Sequence, residues 1–174
     1  MAKCGLPLTV AVNLSALHFS SKDLVAHVRQ MLAESNLPAN FLELEITETA
    51  LISDMDSSIA KLNELSALGV RLALDDFGTG YSSLSYLRHL PIDCLKIDRS
   101  FVIDIVENAQ SEAIVSAIIG LAHGLDLEVV AEGVETEAQR IKLEQLGCDL
   151  IQGFVISPAL PAAELDTFLA ATHR

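Results

Sequence analysis

The feature that most constrains the fold is an alternation of short aliphatic runs with helical segments, repeated six times in succession. The runs are rich in Val, Ile and Leu, and the segments between them place apolar residues at helical spacing. The predicted strands are 8–14, 42–47, 70–75, 93–97, 127–132 and 150–154, and the predicted helices are 22–35, 54–68, a short one ending at 90, 111–123, 137–146 and 162–171. Strict alternation of this kind predicts a parallel sheet with right-handed crossovers.

The predicted helix starts depend on residues whose side chains can cap a helix N-terminus. One of them also has a Gln three residues later, which predicts a capping box. The expected caps are Ser20 or Ser21, Ser53, Ser82 or Ser83, and Thr136 with Gln139 as its partner.

A doubly wound open sheet and a barrel both fit this alternation, and the polar residues help to choose between them. An open sheet gathers its ligands mainly at one topological switch point, whereas a barrel brings all of its strand ends to a single mouth. A polar residue falls at or just past the carboxyl end of each predicted strand, which favours the barrel. These residues are Asn13, Glu45, Asp75, Lys96, Glu132 and Gln152.

The predicted fold class is therefore α/β, an incomplete TIM-like (β/α) barrel with about six of the usual eight units. Residues two positions earlier in each strand share the same inward face. They are mostly small or apolar, as a packed barrel interior requires, although Glu43 fits poorly. The predicted interior residues are Ala11, Glu43, Ala73, Cys94, Val130 and Leu150.

Composition narrows the class of function. The chain has 174 residues, which suits one domain, and a net charge of -13 from 11 Lys and Arg against 24 Asp and Glu. Binding to a DNA or RNA polymer requires a basic face, so we expect none. The three cysteines are widely spaced and predict reduced thiols. The sequence lacks an apolar run long enough to span a bilayer, so we expect a cytoplasmic segment without membrane contact.

The polar strand ends have the chemistry of a metal site. Asn and carboxylate oxygens are preferred ligands of hard divalent cations such as Mg²⁺ and Mn²⁺. Any one of these residues alone is better explained as a surface residue or a helix cap. Six of them at six successive strand ends favour a shared site instead.

The sharpest local signal is the stretch from Asp75 to Ser83, which reads Asp-Asp-Phe-Gly-Thr-Gly-Tyr-Ser-Ser. Two adjacent carboxylates at a strand end repel each other unless a cation lies near them. The two glycines then lead to a predicted helix N-terminus, where phosphate groups bind readily. A glycine pair alone is a weak nucleotide signal, but the preceding Asp pair strengthens it.

Taken together, these segments resemble the successive motifs of EAL domains, a family of cyclic-di-GMP-specific phosphodiesterases. The motifs occur in the family's order and cover nearly the whole chain. They are Val12-Asn13-Leu14-Ser15, Glu45-Ile46-Thr47-Glu48, Asp75-Asp76-Phe77-Gly78-Thr79-Gly80, Leu95-Lys96-Ile97-Asp98, Glu132-Gly133-Val134-Glu135 and Gln152-Gly153.

The resemblance implies hydrolysis of one phosphodiester bond of cyclic di-GMP to give linear pGpG, with two Mg²⁺ or Mn²⁺ ions per complete site. It implies metal binding by Asn13, Glu45, Asp75, Asp76 and Glu132.

The same resemblance implies catalytic roles for Lys96 and Glu132, together with Glu45 and Asp75. Lys96 would contact the attacking water or a phosphate oxygen. Substrate contacts are expected from Asn13, Asp76, Gly78 and Gln152. Glu48 would hold the loop from Asp76 to Ser83 in place.

The sequence also departs from the family pattern. The Glu-Ala-Leu motif, whose Glu is another metal ligand, is absent, and family members place it upstream of the Asn motif. Ala16-Leu17-His18-Phe19 and Ile156-Ser157-Pro158-Ala159-Leu160-Pro161 also differ from the usual residues. We therefore expect residues 1–174 to be the C-terminal part of an EAL domain, with low activity on its own.

Two alternative functions remain open. One is a degenerate EAL domain that binds cyclic di-GMP or a protein without turnover, and the other is a different metal-dependent barrel enzyme acting on carboxylates. We expect a homodimer or larger assembly, because an incomplete barrel has open strand edges. A GGDEF or sensory domain elsewhere in the parent protein is a possible partner. Arg99 is expected to form a surface ion pair.

Overall fold

The computed structural model describes residues 8–52, 55–78 and 84–172. Six strands form one sheet in which each strand pairs in parallel with the next, in chain order. The sheet curls into an incomplete (β/α) barrel, which confirms the predicted fold class. The strands are Val10–Leu14 (β1), Leu42–Thr47 (β2), Arg71–Phe77 (β3), Cys94–Ile97 (β4), Glu128–Ala131 (β5) and Leu150–Ile151 (β6).

Helices follow the strands, and some connections contain two of them. The helices are Ala16–Ser20 (α1), Leu24–Ser35 (α2), Glu48–Ile52 (α3), Met55–Ser66 (α4), Leu84–Leu87 (α5), Arg99–Val102 (α6), Ala109–His123 (α7), Glu137–Gln145 (α8) and Ala162–Thr172 (α9), with a 3-10 turn at Ala39–Phe41. In the described part of the chain, no helix is both long and apolar enough to cross a bilayer.

The sequence did not predict α1, α3 and α6, which are single helical turns that directly follow strands. Four or five residues are too few to show helical periodicity. Ser15 caps α1 by accepting a hydrogen bond from the His18 amide at 3.2 Å. The prediction of Ser20 or Ser21 as the cap of the next helix was wrong, because α2 begins after Asp23 and Ser21 ends α1.

The other predicted caps had different outcomes. Thr136 caps α8, and the side chain of Gln139 completes the capping box, as predicted. The predicted caps at Ser53 and at Ser82 or Ser83 lie outside the described residues.

The core lies between the outer face of the sheet and the helices. Alternate strand residues such as Leu72, Leu95 and Val129 have no exposed surface, and Val115 of α7 is equally buried. Each fully buried aliphatic side chain of this kind stabilises the fold by about 1.5–3 kcal/mol. This packing fixes one face of the sheet, so the other face lines the barrel interior.

The barrel interior contains a layer of charged side chains, Glu43 and Arg71, at the amino ends of the strands. Ala73 and Cys94 are fully buried there, while Leu150 is 49% exposed. Glu43, which fitted the interior prediction poorly, pairs with Arg71, and the two side chains approach to 3.2 Å between carboxylate oxygen and Nε. Burial raises the pKa of Glu43, although Arg71 opposes the rise.

Strand β6 is shorter than predicted, because the chain turns away after Ile151. Gly153 approaches the backbone of Val134 so closely that an added Cβ would overlap it. The Val134 amide donates to the Gln152 carbonyl at 3.1 Å, and the Val155 amide donates to the Val134 carbonyl at 3.0 Å. The loop after β6 is therefore bonded to the loop after β5 rather than continuing the strand.

Candidate active site

Lys96 on β4 is the centre of the polar cluster at the barrel mouth. Only 2% of the residue is exposed. Its Nζ lies 2.5 Å from a carboxylate oxygen of Glu45, 2.5 Å from one of Glu132 and 3.8 Å from one of Asp75. Burial alone would lower the pKa of Lys96, but hydrogen bonds to Glu132 and Glu45 outweigh it and raise that pKa. Lys96 is therefore a fixed cation.

An irregularity in β3 brings two consecutive carboxylates to the same site. Leu74 pairs with Leu95 and Phe77 with Ile97, so β3 advances three residues while β4 advances two. Asp76 adopts a left-handed backbone with φ of 55°, which Asp tolerates better than most residues. Strict alternation would place adjacent side chains on opposite faces. The bulge instead lets Asp75 and Asp76 converge, as bulges near functional sites often do.

Three carboxylates meet at this point. One oxygen from each of Asp75, Asp76 and Glu132 lies within 4.8 Å of the other two. Burial raises the pKa of Asp76, and repulsion from Asp75 raises it further. The pKa of Glu132 is also raised, mainly by burial, although Lys96 opposes this.

The charge balance at the mouth suits a divalent cation. Glu45, Asp75, Asp76 and Glu132 together carry four negative charges when ionised, against one positive charge on Lys96. Metal–oxygen distances of about 2.0–2.6 Å place the ligands of one cation within roughly 4–5 Å of each other. The 4.8 Å spread of the three carboxylate oxygens meets that requirement. The residues present therefore fit a hard cation such as Mg²⁺, Mn²⁺ or Ca²⁺.

Two further predicted residues lie at the same end of the sheet without joining this network. Asn13 is in register with Glu45 on the neighbouring strand and is exposed. Gln152 follows β6, and its backbone N–H donates to the Ala131 carbonyl at 2.8 Å, beside Glu132. Within the described part of the chain, neither side chain hydrogen-bonds to the carboxylate cluster. Both residues thus lie at the same end of the sheet as the cluster. The metal and substrate contacts of Asn13 and the substrate contact of Gln152 stay predictions.

Glu48 and Gly78 border the cluster. Glu48 is the first residue of α3 and is 5% exposed. Neither of its carboxylate oxygens has a hydrogen-bond partner in the described part of the chain. Gly78 follows β3 and belongs to the segment from Asp76 to Ser83 that Glu48 was predicted to hold. Most of that segment, from Thr79 to Ser83, lies outside the described residues, so its contact with Glu48 stays a prediction.

The sequence did not predict that Arg99 and Glu135 pair beside the site. Arg99 forms the predicted surface ion pair, and its partner is Glu135, with 2.6 Å between Nη2 and Oε1. The two residues belong to the loops that follow β4 and β5, so the pair bridges the loops after Lys96 and Glu132. Arg99 and Glu135 each lie three residues after a predicted site residue, Lys96 and Glu132, and this equal spacing could have indicated the pair.

A half-barrel with a carboxylate-rich mouth defines the class of (β/α) barrel proteins whose sites lie at the strand carboxyl ends. The EAL domain family model matches residues 1–159. This chain belongs to the EAL domain family.

Curated relatives and solved structures agree with that assignment. The chain is 51% identical over 164 residues to the cyclic di-GMP phosphodiesterase NbdA of Pseudomonas aeruginosa, covering 94% of this chain and 21% of NbdA. A solved structure described as the PaMucR phosphodiesterase in complex with c-di-GMP has a TM-score of 0.87 at 49% identity, covering 90% of this chain and 64% of that one.

A second solved structure bears on metal binding. It is a manganese and cyclic-di-GMP complex of BlrP1 from Klebsiella pneumoniae, with a TM-score of 0.80 and 35% identity over 86% of this chain and 38% of that one. The curated relatives are much longer than this chain, which spans about a fifth of their length (23%, 21% and 21% of three of them).

Proposed function

We propose that this chain forms the larger part of a domain that hydrolyses cyclic di-GMP to linear pGpG with the help of divalent cations. The observation that carries the proposal is Lys96, buried among carboxylates at the barrel mouth. Support also comes from the NbdA and PaMucR relatives, which are described as phosphodiesterases, the latter in complex with c-di-GMP.

The proposed metal ligands are Asn13, Glu45, Asp75, Asp76 and Glu132, which would hold Mg²⁺ or Mn²⁺. When bound, such ions polarise a phosphoryl oxygen and lower the pKa of water. The convergence of Asp75, Asp76 and Glu132 supports this assignment. So does the manganese complex of the Klebsiella pneumoniae relative.

Lys96 has the properties of an electrostatic stabiliser. As a fixed cation, it does not serve as a general base. Its charge can stabilise the negative charge that develops on a phosphoryl group during hydrolysis. Its hydrogen bonds orient the carboxylates of Glu45 and Glu132. The proposed substrate contacts are Asn13, Asp76, Gly78 and Gln152. Glu48 is the proposed support of the loop from Asp76 to Ser83.

The proposal is tested by assaying the full protein that contains this chain. We expect conversion of cyclic di-GMP to pGpG that requires Mg²⁺ or Mn²⁺ and is abolished by a chelator. Lys96→Met should lower kcat by about 10²-fold or more, with a smaller change in KM, because its charge acts mainly in the transition state.

The alternative functions are separate outcomes of the same assay. Tight binding of cyclic di-GMP without turnover in the wild type would identify a receptor domain. The predicted alternative of a barrel enzyme acting on carboxylates has no support from the family match or from the relatives.

We also propose that the segment is cytoplasmic and self-associates. Among the described strands, β1 and β6 each have a neighbour on one side only. Val10 and Val12 of β1 and Leu150 of β6 are 41–52% exposed. Unpaired strand edges with apolar side chains favour association. Light scattering on the purified 174-residue chain should show a dimer or larger species, and a monomer at all concentrations would contradict this.

A further inference from the structure

The short helix α6 contacts the loops that follow β3 and β5, next to the site carboxylates. It begins three residues after Lys96, and the side chain of Asp98 caps it by accepting a hydrogen bond from the Ser100 amide at 3.0 Å. The strand that holds Lys96 therefore leads directly into α6. Two neighbouring loops pack against this helix, one on each side.

The loop after β3 packs on α6 through Gly78 and Phe101. A Cβ at Gly78 would lie 2.9 Å from a ring carbon of Phe101, a distance that real Cβ atoms do not show. The φ of Gly78 is +97°, a value that favours glycine. Gly78 lies two residues after Asp76. The Phe101 ring therefore sets how closely the loop that follows Asp75 and Asp76 of β3 can approach α6.

The loop after β5 packs on α6 through Gly133 and Arg99. A Cβ at Gly133 would lie 2.7 Å from both Cβ and Cδ of Arg99, and the φ of Gly133 is +68°. The guanidinium of the same Arg99 then reaches Glu135 at 2.6 Å. Gly133 directly follows Glu132, so the Arg99 side chain covers the backbone beside that carboxylate.

Gln139 of α8 bonds the loop after β5 to the end of α6. Its amide group donates to the carbonyls of Val102 at 3.2 Å and Ile103 at 3.1 Å. Its side-chain oxygen accepts from the amides of Glu135 at 2.8 Å and Thr136 at 2.9 Å. The buried side chain of Gln139 thus uses both N–H donors and both lone pairs of its oxygen. Its hydrogen-bonding capacity is fully used in joining the loop after β5 to the end of α6.

We propose that α6 is a positioning element that fixes the loops after β3 and β5 relative to Lys96, with Phe101 and Arg99 as the positioning residues. Neither residue is proposed to contact the substrate. Each covers a glycine within two residues of a site carboxylate, and both belong to one helical turn. A displacement on one side of α6 is therefore transmitted to the other. The role in catalysis rests on the proposed phosphodiesterase function, whereas the coupling between the loops does not.

Hydrogen–deuterium exchange on the full protein tests the coupling without relying on activity. Arg99→Ala should raise deuterium uptake in residues 132–135, which it contacts, and also in residues 75–78 across the helix. Phe101→Ala should raise uptake in both segments in the same way. Increases confined to the segment in direct contact with the mutated side chain would overturn the coupling.

Kinetics on the same variants test the role of this coupling in catalysis. Arg99→Ala should lower kcat by about tenfold with KM within about twofold, because small misplacements of reacting groups cost large factors in rate. Arg99→Lys should recover most of the loss, since its stem still covers Gly133 and its ammonium can still pair with Glu135. An unchanged kcat in Arg99→Ala would overturn the positioning role.

Lys142→Ala is the matched control for Arg99→Ala. Lys142 also forms an ion pair between elements, with Glu112 at 3.0 Å, but this pair joins α8 to α7 and not the loops after β4 and β5. Both ion pairs are at least partly exposed, and such pairs contribute little to folding stability, so both variants should keep a near wild-type Tm. Equal effects of the two variants on kcat would overturn the proposal. A wild type that fails to turn over cyclic di-GMP would refute the proposed function, while the exchange data would still decide the coupling.

Discussion

The two ends of the sheet both carry charged side chains, but the charges are compensated differently. At the amino ends of the strands, Arg71 pairs with Glu128 at 2.5 Å and lies 3.2 Å from Glu43. Asp93 and Asp149 accept hydrogen bonds there from backbone amides of β3 and β5, at 2.9 and 2.8 Å. Each of these four carboxylates therefore has a partner within the chain.

At the carboxyl ends, Lys96 is the one cation among Glu45, Asp75, Asp76 and Glu132 in the described cluster. The uncompensated negative charge is retained although it opposes folding. In barrels of this type, the amino-terminal face usually serves stability and the carboxyl-terminal face catalysis. The comparison predicts that mutations at the two ends will separate stability from activity.

The largest expected difference comes from two glutamates at opposite ends of β5, where Glu128 is the first residue and Glu132 directly follows the last. Glu132→Gln should lower kcat by about 10²-fold or more, a typical loss when a catalytic carboxylate is removed. Glu128→Gln should leave kcat within about twofold and reduce the free energy of unfolding by about 1 kcal/mol, because it weakens the partly exposed pair with Arg71. Steady-state kinetics and urea unfolding measure the two effects, and equal kinetic losses would contradict the division between the ends.

The second prediction concerns metal binding, measured as the shift in Tm on adding Mn²⁺. A ligand at 100 times its Kd stabilises the native state by about 2.7 kcal/mol, which corresponds to roughly 5–10 °C for a chain of this size. Asp75→Asn should remove most of this shift, because an amide cannot neutralise the cation.

Asp93→Asn is the matched control, since Asp93 precedes β4 at the amino end and bonds the Leu72 amide at 2.9 Å. It should lower the Tm slightly and keep the full Mn²⁺ shift. An undiminished shift in Asp75→Asn would place the metal elsewhere in the protein.

The sequence predicted the parts of this arrangement that depend on local pattern. Aliphatic runs revealed all six strands, and the position of Lys96 and Glu45 near strand ends placed both at the mouth. Thr136 and Gln139 revealed the start of α8, because a capping box depends only on residues within four consecutive positions.

The sequence could not predict features that depend on contacts between distant segments. The bulge that brings Asp75 and Asp76 together exists only in the pairing of β3 with β4. The early end of β6 depends on the approach of Gly153 to Val134. The contacts of Phe101 with Gly78 and of Arg99 with Gly133 likewise form only when the loops fold. Both side chains lie just after the recognised motif that ends at Asp98.

The third prediction concerns Glu48, whose buried carboxylate has no partner in the described residues. A buried carboxylate without a hydrogen-bond partner opposes folding. Replacement by an apolar side chain of similar length, Glu48→Met, should therefore raise the free energy of unfolding by about 1 kcal/mol in metal-free protein, and it should lower activity if Glu48 supports the neighbouring loop.

Glu64→Met on the exposed face of α4 is the control and should change neither quantity. A loss of stability in Glu48→Met would show that the carboxylate is already compensated without metal. The mouth would then resemble the amino end, where the charged side chains are compensated within the chain.

The smallest expected effect is the pH dependence of Asp149 at the amino end. Burial alone would raise the pKa of Asp149, but hydrogen bonds from His123 and from the Val129 amide outweigh it and lower that pKa below its ordinary value. An unfolded Asp has a pKa of about 3.9, so the group is ionised in both states at neutral pH.

Because the folded pKa is the lower one, the stabilisation by Asp149 is complete above pH of about 4 and is lost as the pH falls through the folded pKa. Asp149→Asn should thus be less stable than the wild type between about pH 5 and 7. The gap between their free energies of unfolding should narrow below about pH 4. The gap should be only a few tenths of a kcal/mol, because the carboxylate is 38% exposed and solvent screens its interactions. Urea unfolding of both proteins from pH 7 to pH 3 measures this difference in the free energy of unfolding. A difference that widens toward pH 3 would show that the fold does not favour the ionised form of Asp149.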